Sequence, residues 1–515
     1  MESWLLLALL APLLGAIAVW TAGEAVACRL AALAASLSLA AGLVLWGAFD
    51  PQADGPQFRT LIEWVPQLGI KLDLAVDGIS LPLIVLTGLV GLAAVLAPAP
   101  EGRPKTYYSS LLLLLGAAMG AFASLNIFFF YFFCELATLP KFLLVGIWGS
   151  DRGRSRKEAA MHLTIYITAG AMVVLLGLLY LSTVTGGFFE LKDLKINTSI
   201  HPLSEQVQIW IFGALMLGFG VWASMWPFHT WAPVAYGAAP TAANMLFAGV
   251  LKNLGAYGLI RIGLTLLPLG ARHWADCLAI LAAINILYAG WVALRQQDWH
   301  QLIAYSTVSH AGYLLLGIAA LNVVGVTGAV LMMFAHGILI ALIFALLGAF
   351  GAQGRRIADF GGIARVAPFV GVCMAMAAMA AAGMAGFANF ASEVMVFIGS
   401  WQAASTALRF GTVAAVWGMV LSATYMLRAL RTSFYGEPTG PAVVDPSLPA
   451  RAPYVVLLAV LLIFGFFPGL LTQPIQRAVA PIAQLIPAKA NIAADAVPGA
   501  MGHHQVPAHA AQSNE

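Results

Sequence analysis

The chain has 515 residues, 61% of them hydrophobic and only 9% charged, with a mean hydropathy of +0.88 and a formal net charge of +3. Chains that fold in water carry about 25% charged residues, so this composition excludes a soluble globular fold. So sparse and balanced a charge also excludes a nucleic-acid footprint. Read against the roughly 20 apolar residues that a helix needs to cross about 30 Å of hydrocarbon, the sequence predicts an all-α polytopic membrane protein with about fourteen transmembrane helices. They fall near 4–21, 26–48, 80–98, 107–124, 127–149, 159–184, 206–226, 240–267, 274–295, 299–320, 323–350, 366–386, 408–431 and 452–472. The runs are continuous rather than alternating, which argues against a lipid-facing barrel.

The first run follows Met1-Glu2 without a basic leader and is read as a retained helix rather than a signal peptide. Alternation in the 69–74 stretch predicts a short hairpin between the second and third spans. Basic residues gather at Arg103 and Lys105 and again at Arg152, Arg154, Arg156 and Lys157; this loop bias predicts both termini outside, in a bacterial inner membrane. One membrane domain is expected over 1–472, and the tail 473–515 is expected to be largely disordered. His503, His504 and His509 lie in that tail and read as a frayed end before a metal site. The four cysteines, Cys28, Cys134, Cys277 and Cys373, form no CxxC pair, and no GxGxxG or GxxxxGK[ST] loop occurs, so no cofactor is expected in this chain.

An ionisable side chain inside a span costs a few kcal/mol and needs a partner, a water cavity or a task. Glu135 lies deep in an aromatic run that ends Thr138-Leu139-Pro140-Lys141; it reads as a proton-loading carboxylate ahead of a helix–helix hydrogen bond. Lys141 is six residues on, about 240° round a regular helix from Glu135, so the two are not expected to pair simply. Snorkelling and a proton role are equally open for it. Lys252 stands near mid-span with no short route to either surface, and is the strongest single candidate for a proton carrier. Glu393 follows a glycine-containing break, with carboxylate chemistry and structural pairing both open. His310 and His336 are intramembrane imidazoles, able to relay a proton or to serve as static hydrogen-bonding residues; His162 and His229 are weaker candidates. Two stretches look broken, 226–240 and 383–389, and paired interruptions point to an inverted-repeat ion translocator.

Several motifs then occur in one order: Trp226-Pro227-Phe228-His229-Thr230-Trp231-Ala232-Pro233, Ala239-Pro240-Thr241-Ala242, the 302–313 run through Tyr305 and His310, Phe334-Ala335-His336-Gly337, and Asn389-Phe390-Ala391-Ser392-Glu393. Together they resemble the antiporter-like subunits of respiratory complex I, most closely the chain M type of NADH-quinone oxidoreductase. The resemblance implies two inverted five-helix repeats, near 107–267 and 274–431, joined by a mid-membrane polar axis. It implies proton translocation carried by Glu135, Glu393, His310 and His336, to which the residue-by-residue reading adds Lys252, with electron transfer from NADH to quinone left to partner membrane subunits. The sequence also departs from the family. Trp222 stands where the family's broken-helix lysine is expected, Asn253 takes the central lysine position with Lys252 one residue off, Val234 replaces an acidic residue, and His300 a basic one. Lys141 is therefore expected to substitute as the partner of Glu135. Mrp-type cation/proton antiporters, membrane-bound hydrogenases and inorganic-carbon uptake complexes are implied as alternative hosts.

Overall fold

The computed structural model describes residues 1–65, 67, 70–151, 154–351 and 355–486. Helices α1 (Glu2–Thr21) and α2 (Ala27–Ala48) lead into an antiparallel hairpin of β1 (Gln57–Val65) and β2 (Ile70–Val76). The chain then runs through α3 (Ser80–Leu96), α4 (Pro104–Ala123), α5 (Ile127–Leu136), α6 (Thr138–Trp148) and α7 (Arg156–Val184), followed by a short polar helix α8 (Leu191–Ile200). Next come α9 (Glu205–Trp222), α10 (Trp231–Ala238), α11 (Thr241–Leu246) and α12 (Asn253–Gly258). The second half holds α13 (Pro268–Arg295), α14 (Trp299–Ala319), α15 (Val323–Gly348), the single turn α16 (Ile363–Val366), α17 (Pro368–Ala381), α18 (Ala388–Gln402), α19 (Thr406–Phe434), α20 (Ala452–Phe466) and α21 (Gly469–Gln484).

The helix starts follow local chemistry. Asn126 opens α5 by accepting from the Phe128 and Phe129 amides, Ser155 opens α7, Asp298 opens α14 and Asn322 opens α15. Each side-chain oxygen takes up an amide that the first turn would leave bare in lipid. Prolines at the starts of α4, α13 and α17 have no such amide to lose.

Among the described residues, eleven helical stretches are long and apolar enough to cross a membrane. Three more crossings complete the predicted set: the shorter α3, and two helices each broken midway, α9 with α10 and α17 with α18. The protein is an integral, multi-pass membrane protein. The breaks fall at 223–230 and 382–387, within and beside the stretches read as broken. The spans read as 206–226 and 366–386 are corrected here: each continues past its break, into α10 and α18. Of those second halves α10 is short and α18 carries Asn389, Ser392, Glu393 and Ser400, so a window built for continuous apolar runs cuts them off.

The tail begins as a helix: up to Gln484 it belongs to α21, whose Leu471, Ile475, Val479 and Ile482 are buried at helical spacing, and the stretch from 487, expected to be disordered, lies outside the described residues. The α21 backbone sits against the turn before α3, where a Cβ at Gly78 would run into the Pro474 carbonyl. His503, His504 and His509 lie outside the described residues.

The hairpin is tied down by charge. Arg59 grips Asp73 through two 2.8 Å contacts, and Lys71 reaches Glu190 at 3.3 Å. The hydrogen bond to Asp73, helped by the field of Glu190, holds the Arg59 guanidinium above its usual range and so fully charged.

Candidate functional site

The span 127–148 is one crossing made of two helices that meet at Ala137. Glu135 closes the first and Lys141 sits in the first turn of the second. No ion pair joins them directly, yet the field of Lys141 reaches the carboxylate, and Glu135 Oε1 is buried without a hydrogen-bond partner. Lys141, Cys134, Trp222, Trp231 and Lys252 all line one enclosed cavity with about 20 Å³ of room for the centre of a water molecule. A volume of that size holds one ordered water. The structure thus brings two lysines from different helices to the same small space. Trp222 occupies the end of α9, where the family resemblance places a lysine, and fixes its indole by donating to the Ile167 carbonyl at 3.2 Å.

Lys252 is 3% exposed and lies between two π-helical stretches, Phe247–Leu251 and Leu259–Leu264. A wider turn re-aims every later side chain, so the face on which Lys252 sits is set by the π turn and not by a 3.6-residue count. Its Nζ donates to the Thr307 carbonyl at 3.2 Å. Asn253, in the position expected for a lysine, instead donates to the Gly249 and Met333 carbonyls. The helices meet here because Gly249 and Gly337 bring bare backbone together: a Cβ at Gly249 would lie 2.8 Å from the Gly337 oxygen.

One turn beyond Thr307, the His310 ring stacks on His336 with centroids 4.6 Å apart. His310 Nδ1 meets the Ser306 carbonyl at 2.8 Å, and Nε2 lies 4.0 Å from Glu393 Oε1. Glu393 is 1% exposed and its second oxygen is unpaired. That oxygen rests against the break: Gly383 has φ +72°, and a Cβ there would collide with Glu393 Oε2. Glycine is required twice over at that position. Both nitrogens of His336 and the whole amide of Asn389 are buried without a partner in the chain, as expected for groups that exchange protons or bind water.

All six residues singled out from the sequence, Glu135, Lys141, Lys252, His310, His336 and Glu393, therefore fall on neighbouring helices of one interior. His229 is buried beside the first break with neither ring nitrogen paired, and the His162 ring lies tilted against Tyr166 with centroids 4.8 Å apart.

Other polar residues of this interior escaped the sequence reading. Arg261 is inside the last π turns and pairs with Asp77 at 2.5 Å; its Nε also donates to the Tyr257 hydroxyl at 3.2 Å. The signal was present, an arginine within an apolar run and an aspartate four residues after another, but their pairing is long-range. Asn285 of α13 accepts from the Trp226 amide and donates to the Ser224 carbonyl, supplying backbone bonds that the first break leaves open, and it also donates to the Val308 carbonyl of α14. Ser422 does the same for Ala381 at the second break, at 3.0 Å. Where His300 replaces the family's basic residue, Arg355 brings a guanidinium to it, Nε to Nδ1 at 3.2 Å, and donates to the Gly237 carbonyl of α10. Among the described residues no group of three histidine, cysteine or acidic side chains has the geometry to hold a metal ion.

Residues 124–421 match the family described as NADH:quinone oxidoreductase/Mrp antiporter, membrane region. The chain belongs to this family. Relatives include NAD(P)H-quinone oxidoreductase chain 4 1 of Synechococcus elongatus, 34% identical over 90% of this chain and 87% of that protein. Chain 4 3 of Picosynechococcus is 33% identical over 83% and 84%. Among solved structures, a chain of respiratory complex I from Thermus thermophilus superposes with a TM-score of 0.85 at 25% identity, covering 94% of this chain and all of that one. A chain of the Mrp complex from Dietzia shares the fold, with a TM-score of 0.80 at 21% identity. The complex I-like fold expected from the motifs is thereby borne out.

Proposed function

We propose that this chain is the proton-translocating membrane subunit of a complex I-type NADH-quinone oxidoreductase, moving protons in response to electron transfer carried out in partner membrane subunits. The observation that carries this reading is the series of half-buried and buried titratable side chains from α5 to α18: Glu135 and Lys141, the one-water cavity that Lys141 and Lys252 line, the stacked His336 and His310, and Glu393. Burying this many ionisable groups is expensive in a membrane, and only some are paired within the chain. In the direction from α5, Glu135 accepts a proton and Lys141 passes one through the cavity water to Lys252. The imidazoles hand it on to Glu393 at the second break. Each step fills one site as it empties its neighbour, so a charge change at either end biases the whole series. The relatives' names support the host complex, and the cation bias of the loops supports an orientation with both termini outside a bacterial inner membrane.

The test is reconstitution of the complex in liposomes, reading NADH oxidation and internal acidification together. Lys252→Met is expected to abolish acidification while sparing most electron transfer measured in uncoupled vesicles. Full acidification in that variant overturns the reading. Trp222 in place of the family lysine favours a second host, an Mrp-type cation/proton antiporter; acidification driven by a sodium gradient without NADH would select it.

A further inference from the structure

The proton series leaves Arg261 unused, although it shares a membrane span with Lys252. Nine residues separate the two, about 13 Å of helix. Arg261 is the one nearer the hairpin, because its partner Asp77 directly follows β2. Tyr257 stands between them, one turn from Arg261 and fully buried.

A proton travels along groups that can both accept one and release one. The Tyr257 hydroxyl donates to the Phe122 carbonyl at 2.9 Å, and its oxygen is covered by Arg261 Nε at 3.2 Å. A carbonyl has no proton to pass on, and a guanidinium does not give one up. Asp77 is spent in the same way: Oδ1 accepts from the Ile79 and Ser80 amides at 3.0 Å each, and Oδ2 faces Arg261 Nη1. The arrangement is held firmly. Phe122 is the penultimate residue of α4, and the Leu125 amide just beyond donates to the Asp73 carbonyl of β2 at 2.8 Å. The Tyr257 ring packs edge-on against Phe122 at 5.2 Å, with the Arg261 guanidinium 5.7 Å from its centroid. Arg261 Nη2 is buried without a partner in the chain. A water that reaches it accepts from the guanidinium and turns its lone pairs away from an arriving proton, as a fixed arginine does in a water-selective pore.

We propose that Arg261, positioned by Asp77 and Tyr257, is a proton seal on the hairpin side of Lys252. With the seal in place, Lys252 exchanges protons with the cavity it shares with Lys141 and with the stacked histidines, and not with water on the hairpin side. Without it, Lys252 loads from both directions and an established gradient runs back through the span. The inference rests on reading Lys252 as a proton carrier.

The experiment reconstitutes the whole complex in liposomes and imposes a pH gradient in the absence of NADH. Collapse of the gradient is followed with an internal dye and normalised to the NADH oxidation rate of the same vesicles. Arg261→Met with Asp77→Asn is expected to speed the collapse several-fold. Adding Lys252→Met is expected to return it to the parent rate, because the leak runs through Lys252. Arg261→Lys keeps a cation in place and is expected to stay near the parent rate. Tyr257→Phe is expected to leak by the same Lys252-dependent route, and it takes over the test where the pair variant does not assemble. Collapse at the parent rate in whichever of these two assembles overturns the proposal. So does a leak that persists with Lys252→Met, which marks a packing defect, or a leak from Arg261→Lys as large as that of the pair variant. The transport reading fails separately, as a parent complex that oxidises NADH without acidifying its vesicles, and that result takes the seal with it.

Discussion

The two halves of the interior place their charge differently. In the second, the carboxylate is on the broken helix itself: Glu393 stands one turn into α18 and touches the break at Gly383. In the first, the broken helix ends in Trp222, and the cations come from its neighbours, Lys141 of α6 and Lys252 between the π turns. A break exposes backbone dipoles and admits water, so it is a place to stabilise charge wherever that charge is anchored. Two lysines from nearby helices thus line the same cavity as Trp222.

The comparison can be broken first at its supports. Arg261→Met leaves Asp77 buried without its cation, held only by the Ile79 and Ser80 amides, a change of about 3–5 kcal/mol. The folded fraction in detergent should fall sharply, and Arg261→Met with Asp77→Asn should recover much of it; equal loss in both would show that the pair is not the cause. Next come the two carboxylates. Glu135→Gln and Glu393→Gln are each expected to lower proton movement by about a hundredfold, roughly 2.7 kcal/mol. If only one does so, the two halves do not form one series. The polar side chains that serve the breaks come third. Asn285→Ala removes three contacts and should cost about 2 kcal/mol, against about 1 kcal/mol for Ser422→Ala with its single contact to the break; thermal inactivation of the purified complex ranks them. The smallest effect is the sharpest test of the comparison. Lys141→Met should slow proton movement about fivefold, roughly 1 kcal/mol, and adding Trp222→Lys should restore part of it. An intact rate in Lys141→Met would show that Lys141 only reaches toward the headgroups.

Much of the fold was legible. The spans, the hairpin, the two interruptions and the six titratable candidates could be read because lipid permits so few polar residues that each one marks itself. The second halves of the broken helices and α21 were missed because they are short or amphipathic, which a window built for continuous apolar spans rejects. Asp77–Arg261 and the serving Asn285 were missed because both depend on contacts far apart in the chain.

By itself, the sequence determined the membrane class, the number of crossings, the family and the identity of the ionisable residues, since hydrophobicity and motif order are properties of the chain alone. Only the tertiary structure decided which of those residues meet. The π turns that set the face of Lys252, the cavity shared by Lys141, Lys252 and Trp222, and the approach of His310 to Glu393 all depend on how helices pack, and a hydropathy plot contains no packing.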